Sequence, residues 1–287
     1  MNEFRKLIAG AEPVVAPLVF DPISAKLAEA AGFRALYLGG GSMGYIKCGT
    51  EANLSLTEMA QAGIEIRTVC PLPLILDGAC GWGDPMHIHR TIGMTEAAGF
   101  CAIEIEDQLL PKRAHHHIGI EHMIPRELMV AKIAEAVAAR RDPDFVIIGR
   151  TNALRSEGRD EALRRGEAYH RAGADILYPS GRIPEDLRFL GERLPPPLMY
   201  MTGAGGLSAS PLSKADLAAL GFRLIVDPTT PFLAIHKALR QCYAALADGV
   251  PDPTLGRGAD AEQGEVHRTI GLEAMLDVER RTVEHRR

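Results

Sequence analysis

Four stretches of the chain repeat one pattern: "AEAAGFRALYLGG", "TEAAGFCAIEIED", "HRAGADILYPS" and "LAALGFRLIVDP". Each runs as a helix-forming segment to a glycine, where a left-handed C-cap costs least, and within a few residues becomes a short β-branched or apolar run. Completing the series gives strand candidates near residues 13–20, 35–40, 72–79, 101–107, 144–151, 174–180, 197–202 and 222–228. Between them, segments such as "DPISAKLAEAAG", "PRELMVAKIAEAVAARR" and "RDEALRRGEAYHRAG" space apolar residues at helical intervals among good helix formers. Eight strands alternating with helices predict an α/β fold, a closed (β/α)8 TIM barrel, in preference to a doubly wound open sheet. The barrel is expected over residues 1–250 and a helical extension of the same domain over 251–287, with "PDPTLGRGADAEQG" as a loop.

Composition removes several classes of function. A chain of 287 residues with 46% hydrophobic side chains and a net charge of −5 has no concentrated basic face for nucleic acid or an anionic membrane. No apolar run reaches membrane-spanning length, and the opening "MNEFRKLIAGAEPVVAPLVF" lacks the core of a signal peptide. Cys48, Cys70, Cys80, Cys101 and Cys242 are scattered and odd in number, which suits reduced thiols and a cytoplasmic protein.

A barrel gathers its chemistry where strands end. The polar residues there are Gly39 to Ser42, Asp77, Glu104 and Glu106, Arg150 and Asn152, and Ser180. Carboxylates converging on one mouth need a compensating cation or proton. Mg2+ takes oxygen ligands, holds one or two carboxylates directly and keeps waters, so Asp77 and Glu106 suit it, with Glu51 joining through water. Asp84 and Asp107 read instead as helix caps. The run "LGGGSMG" offers backbone N–H groups to an oxyanion or simply makes a tight turn, and its spacing fits no dinucleotide or phosphate loop.

Three motifs carry a resemblance: "LILDGACGWGD", "IEIEDQLLPKRAHHHIG" and "DPDFVIIGRTNAL". In their order and spacing the chain resembles the isocitrate lyase and phosphoenolpyruvate mutase superfamily from about residue 14 to about residue 228. The resemblance implies Mg2+, with Mn2+ as a substitute, and a small 2-oxo or 2-hydroxy carboxylic acid as substrate. It also implies a homotetramer, a dimer of helix-swapped dimers. It assigns Asp77 to direct metal ligation, Glu106 and Glu51 to water-linked ligation, the Gly40 and Gly41 amides to an oxyanion, and Arg150 to a substrate carboxylate. Lys112 to about His122 would form a lid, in which Arg113 and His116 match lid residues.

Departures narrow the chemistry. Ala114 stands where lyases of the superfamily carry an acid–base cysteine, and His115 where they carry glycine, so His115 or His116 becomes the available proton carrier. Ala79 replaces the second acid of the Asp-x-Asp motif, a charge that Glu104 on the same strand face is positioned to restore. Ser180, Met201 and Ala204 replace polar residues on the side that grips a second carboxylate, which suits a more apolar substrate tail. The expected activity is Mg2+-dependent cleavage of the C–C bond next to C2, by a lyase or an oxaloacetate-type decarboxylase. A phosphonate mutase or hydrolase, and an inert metabolite-binding homologue, are the alternatives.

The histidine run His115 to His117, with His122, suggests a transition-metal site; against this, consecutive residues point in different directions, and a loop with one functional histidine is favoured. His87 and His89 are expected at the surface of a helix, His170 and His236 packed within helices, and Trp82 at the pocket mouth.

Overall fold

The structure, a computed structural model, describes residues 1–256 and 258–284. Eight strands run parallel: β1 (Val14–Pro17), β2 (Leu36–Leu38), β3 (Leu74–Asp77), β4 (Ala102–Glu106), β5 (Val146–Thr151), β6 (Ile176–Pro179), β7 (Leu198–Met201) and β8 (Phe222–Asp227). Their order, β1-β8-β7-β6-β5-β4-β3-β2, closes at the ends of the series through the bridge between Leu18 and Tyr37, where the Val19 amide donates to the Tyr37 carbonyl at 2.9 Å. The result is the closed (β/α)8 barrel that the repeat predicts; the open sheet is excluded.

Alternation along each strand sorts side chains into two layers. In β4, Ala102 joins the cluster inside the ring, while Ile103 and Ile105 face the surrounding helices. Glu104 and Glu106 must therefore point inward, above Ala102. The N-terminal end of the ring is plugged by Phe4, Leu7 and Ile8 of the helix Glu3–Ala9, all buried. Each large apolar side chain so buried contributes roughly 1.5–3 kcal/mol. The polar mouth is thereby confined to the opposite, C-terminal end.

The helix after β8, Thr230–Ala247, buries only Ala245, and beyond it the helices Ala259–Ile270 and Leu272–Thr282 bury none of their described residues. The expected loop is thus wrong from residue 259 onward: "ADAEQG" is helical, because Ala259, Ala261, Glu262 and Gln263 are good helix formers and Asp260 and Glu262 sit in the first turn, at the positive end of the dipole. Of the expected helical tail, residues 257 and 285–287 lie outside the described residues. His170 and His236 are exposed rather than packed. On the helix Arg159–Arg171 the inward face is set by Ala162, Arg165 and Tyr169, so the next residue is rotated away from it. No described helix is long and apolar enough to cross a membrane.

Candidate active site

Three acids and two cations meet at the mouth. Register places Asp77 beside Glu104 and Glu106 beside Arg150 on adjacent strands. Glu106 is fully buried, and its carboxylate takes a bond from Asn152 Nδ2 at 2.8 Å and an ion pair from Arg150 Nε at 3.2 Å. It also contacts the ammonium of Lys112, which lies 3.2 Å from Glu51 Oε1. Burial alone would raise the Glu106 carboxyl, but Arg150 and Lys112 outweigh it and hold the group down at about 2. Glu51 behaves alike: burial pushes up, while a bond from His116 and the charge of Lys112 carry it well below the usual carboxylate range.

Arg150 is the hub of the inner polar layer. Its NH1 donates to Glu104 Oε1 at 2.8 Å, and its Nε and NH2 share Asn152 Oδ1 at 3.2 and 3.1 Å. A guanidinium has five N–H groups, so a hydrogen remains on each terminal nitrogen. Glu104 accepts from the Tyr37 hydroxyl at 3.0 Å as well, and burial, opposed by Arg150 and reinforced by Asp77, pushes it up to about 7. With Tyr37 and Arg150 as its partners the Glu104 carboxyl lies one layer below the mouth, and among the described residues no hydrogen bond or ion pair joins that side chain to Ala79.

Asp77 is oriented by backbone. Its Oδ2 accepts from the Gly40 amide at 2.9 Å and its Oδ1 from the Ala79 amide at 3.0 Å. The Gly40 N–H is therefore spent on Asp77 rather than left for a ligand, whereas the Gly41 amide, in the first turn of the helix Gly40–Ile46, has no intrahelical acceptor by geometry. The last glycine of the run has a packing reason: a Cβ on Gly44 would lie 2.3 Å from the Thr50 carbonyl carbon and 2.6 Å from the Glu51 amide. Only glycine there lets the turn Glu51–Asn53 bring Glu51 to the mouth.

The lid folds over these groups. Its 3-10 turn Ala114–Ile118 directs His116 and His117 onto the two oxygens of Glu51, the latter at 3.1 Å. Two residues expected here lie off the site. His115 turns outward to pair with His122 at 2.9 Å, and Arg113 is exposed, its side chain free of ion pairs among the described residues. Lys112, one position earlier, is the residue that reaches in. Ser180 is buried, but its hydroxyl meets Arg155 at 3.4 Å rather than the acids. Asp107 caps no helix: fully buried, it accepts from the Asn152 amide at 3.0 Å and the Tyr169 hydroxyl at 2.6 Å, and so braces the site from behind. Trp82 packs with its Nε1 on the Leu54 carbonyl at 2.9 Å, at the rim of a cavity of about 400 Å³ that also touches Glu51, Ala79 and Lys112.

The donor set fits Mg2+. All its atoms are oxygens, from Asp77, Glu106 and Glu51, and a positive group already stands between two of the carboxylates in the form of Lys112.

A closed parallel ring with acids, an arginine and a lysine at its C-terminal mouth defines a barrel enzyme of the kind that works on small anions. The chain belongs to the phosphoenolpyruvate phosphomutase family, which it matches over residues 4–247. It is 34% identical to a 2,3-dimethylmalate lyase of Eubacterium barkeri over 96% of both chains. With a 2-methylisocitrate lyase of Aeropyrum pernix it shares 38% identity, covering 82% of this chain and 75% of the relative. Among solved structures, a phosphonopyruvate hydrolase in complex with oxalate and Mg2+ superimposes with a TM-score of 0.84 at 30% identity, covering 98% of each chain.

Proposed function

We propose that the protein is a Mg2+-dependent carbon–carbon lyase acting on a small 2-hydroxy or 2-oxo dicarboxylic acid. The observation that carries this reading is the meeting of Asp77, Glu106 and Glu51 at a single barrel mouth beside Arg150. Asp77 would hold Mg2+ directly, Glu106 and Glu51 through water, and Mn2+ would substitute; when bound, the cation supplies Lewis-acid polarisation of the C2 oxygen.

The chain's own groups do the rest. Arg150 grips the C1 carboxylate with the hydrogens left on its terminal nitrogens, its plane fixed by Glu104 and Asn152. In a 2-hydroxy acid the C2 hydroxyl proton would pass to the Glu51 carboxylate, and the alkoxide electrons would form the C2=O bond as C2–C3 breaks; in an oxaloacetate-like acid the C2 oxygen would gain enolate charge as C3–C4 breaks. The Gly41 amide would stabilise the C2 oxyanion in either case, an interaction worth on the order of 3 kcal/mol where water is excluded. His116 presents Nε2 to Glu51, and although burial opposes it, that bond raises the affinity of the imidazole for protons. From Nε2 it would deliver a proton to C3 of the leaving fragment, and Glu51 would return to it the proton taken from the hydroxyl. Loss of CO2 from an oxaloacetate-like acid needs the same groups. On the far side, Met201 joins the apolar interior and Ser180 offers only a hydroxyl, which favours an alkyl-bearing tail over a second tightly gripped carboxylate.

The likeness to a phosphonopyruvate hydrolase favours a second reading, phosphonate cleavage. Incubation with Mg2+ and either alkyl-substituted malates, oxaloacetate or phosphonopyruvate, with products read by mass spectrometry, separates the two. Turnover of a malate or oxaloacetate supports the lyase; turnover of phosphonopyruvate alone overturns it. We further propose that the exposed apolar face of Thr230–Ala247 is covered by a second chain in a helix-swapped dimer, two of which form a homotetramer.

A further inference from the structure

We propose that Glu51, His116 and His117 form a second cation site, of the Zn2+ class, that staples the lid to the barrel. The ligand atoms of these three residues lie within 4.8 Å of one another. Both imidazoles present Nε2 to the Glu51 carboxylate, His116 at Oε1 and His117 at Oε2. Both also have Nδ1 occupied from behind: that of His116 donates to the Arg113 carbonyl at 2.9 Å, and that of His117 lies 3.0 Å from the Tyr45 hydroxyl. A partner on the rear nitrogen is what orients a metal-binding imidazole, and a metal at Nε2 would displace the proton shared with Glu51.

Neighbouring side chains ordinarily diverge, which counts against a shared metal. The 3-10 turn answers it, since His116 and His117 have ring centroids 4.0 Å apart and aim at one carboxylate, while His115 alone diverges, to His122. Two nitrogens and an oxygen select Zn2+ or its neighbours over Mg2+, which prefers an all-oxygen shell. Three protein ligands leave a fourth tetrahedral position for water. Lys112, 3.2 Å from Glu51 Oε1, is the nearest competing charge, and its contact with Glu106 gives it a seat of its own.

Two of the ligands belong to the lid, whereas Glu51 and the supporting Tyr45 belong to the barrel. A bound metal therefore holds the lid shut and withdraws the His116 Nε2 from proton transfer. Zn2+ is expected to inhibit turnover and to slow trypsin cleavage after the exposed Arg113. The site shares His116 and Glu51 with the proposed reaction but does not depend on it.

The test uses the full-length chain, freed of metal by a chelator, kept in excess Mg2+ and titrated with Co2+ as a coloured substitute for Zn2+. The expected result is a visible absorption band saturating at one cobalt per chain and erased by Zn2+. The band persists in Asp77→Ala, and binding weakens at least about tenfold in His117→Ala and in Glu51→Gln. Melting curves of the variants confirm that each is folded, and zinc protects Arg113 from trypsin in the parent but not in His117→Ala. A colourless titration, an affinity unchanged in His117→Ala, or a band lost in Asp77→Ala overturns the proposal. Failure here with turnover of an organic acid intact leaves the lyase reading standing; an intact cobalt spectrum without turnover on any acid removes only the lyase.

Discussion

Asp77 and Glu104 occupy paired positions on β3 and β4, yet their surroundings assign them different work. Asp77 takes two backbone amides and keeps lone pairs for a cation, so Asp77→Ala is expected to lower Mg2+-dependent turnover by at least about a thousandfold, several kcal/mol of lost polarisation, with little change in melting temperature. Steady-state kinetics beside a melting curve checks both halves. Glu104 is sealed under Tyr37 and Arg150 and held up at about 7 by burial, against about 4.3 in an unfolded chain. The folded state thus binds this proton more tightly, and the resulting stability is fully present below the unfolded value and lost as the pH rises through about 7. Glu104→Gln has no such proton to lose. Its stability relative to the parent is expected to improve by roughly 1–3 kcal/mol between about pH 5 and about pH 8; parallel denaturation curves across that range would refute the assignment. At this scale the sequence was most informative about acids on strands, because alternation alone turns Glu104 and Glu106 inward. It was least informative about Lys112 and Arg113, since which of two adjacent lid cations reaches Glu106 depends on the path of a loop that no periodicity describes.

Between strands, the loop after β3 shows how an element is held in an unfavourable form. Ala79 and Trp82 have φ of +44° and +55°, left-handed values that side chains resist, and Gly81 lies between them at +79°. Three carbonyls in a row are pinned by three different elements: Ala79 by the Glu106 amide, Cys80 by the Lys132 ammonium and Gly81 by the Thr91 hydroxyl. Lys132, buried on the helix Arg126–Ala139, directs its ammonium onto that carbonyl, and burial lowers its proton affinity. Lys132→Met is expected to cost about 1–3 kcal/mol in urea denaturation by orphaning the Cys80 carbonyl, and to raise the KM for substrate because Asp77 begins the same loop. Unchanged stability would show that the bond carries nothing. The motif "DGACGWG" marked this loop as important in the sequence, but the helix residue that restrains it lies some fifty positions on and carried no local signal. The lid follows the same rule: its place was legible, whereas the convergence of His116 and His117 required the 3-10 turn.

For the molecule as a whole, four helix-to-strand junctions were legible because β2, β4, β6 and β8 are short, apolar and preceded by a glycine stop; β3 and β5 have no such glycine and were placed by their apolar runs, and the closed ring followed from the strand count. Assembly did not, since a monomer sequence does not say what covers an exposed face. The helix Thr230–Ala247 leaves Leu239, Tyr243 and Leu246 at 48%, 65% and 65% exposure, more apolar surface than one soluble chain ordinarily presents along one helix. Sedimentation is expected to give a tetramer, and Tyr243→Glu with Leu246→Glu to dissociate it; a parent that sediments as a monomer at micromolar concentration contradicts the swap. The central claim is that a cation seated by Asp77, Glu106 and Glu51 and an organic acid held by Arg150 bind as one unit. Calorimetric titration of oxalate with and without Mg2+, on the parent and on Asp77→Ala, tests it most directly. Oxalate should bind tightly to the parent only when Mg2+ is present and not to the variant; equal affinity without Mg2+, or in Asp77→Ala, would contradict the account.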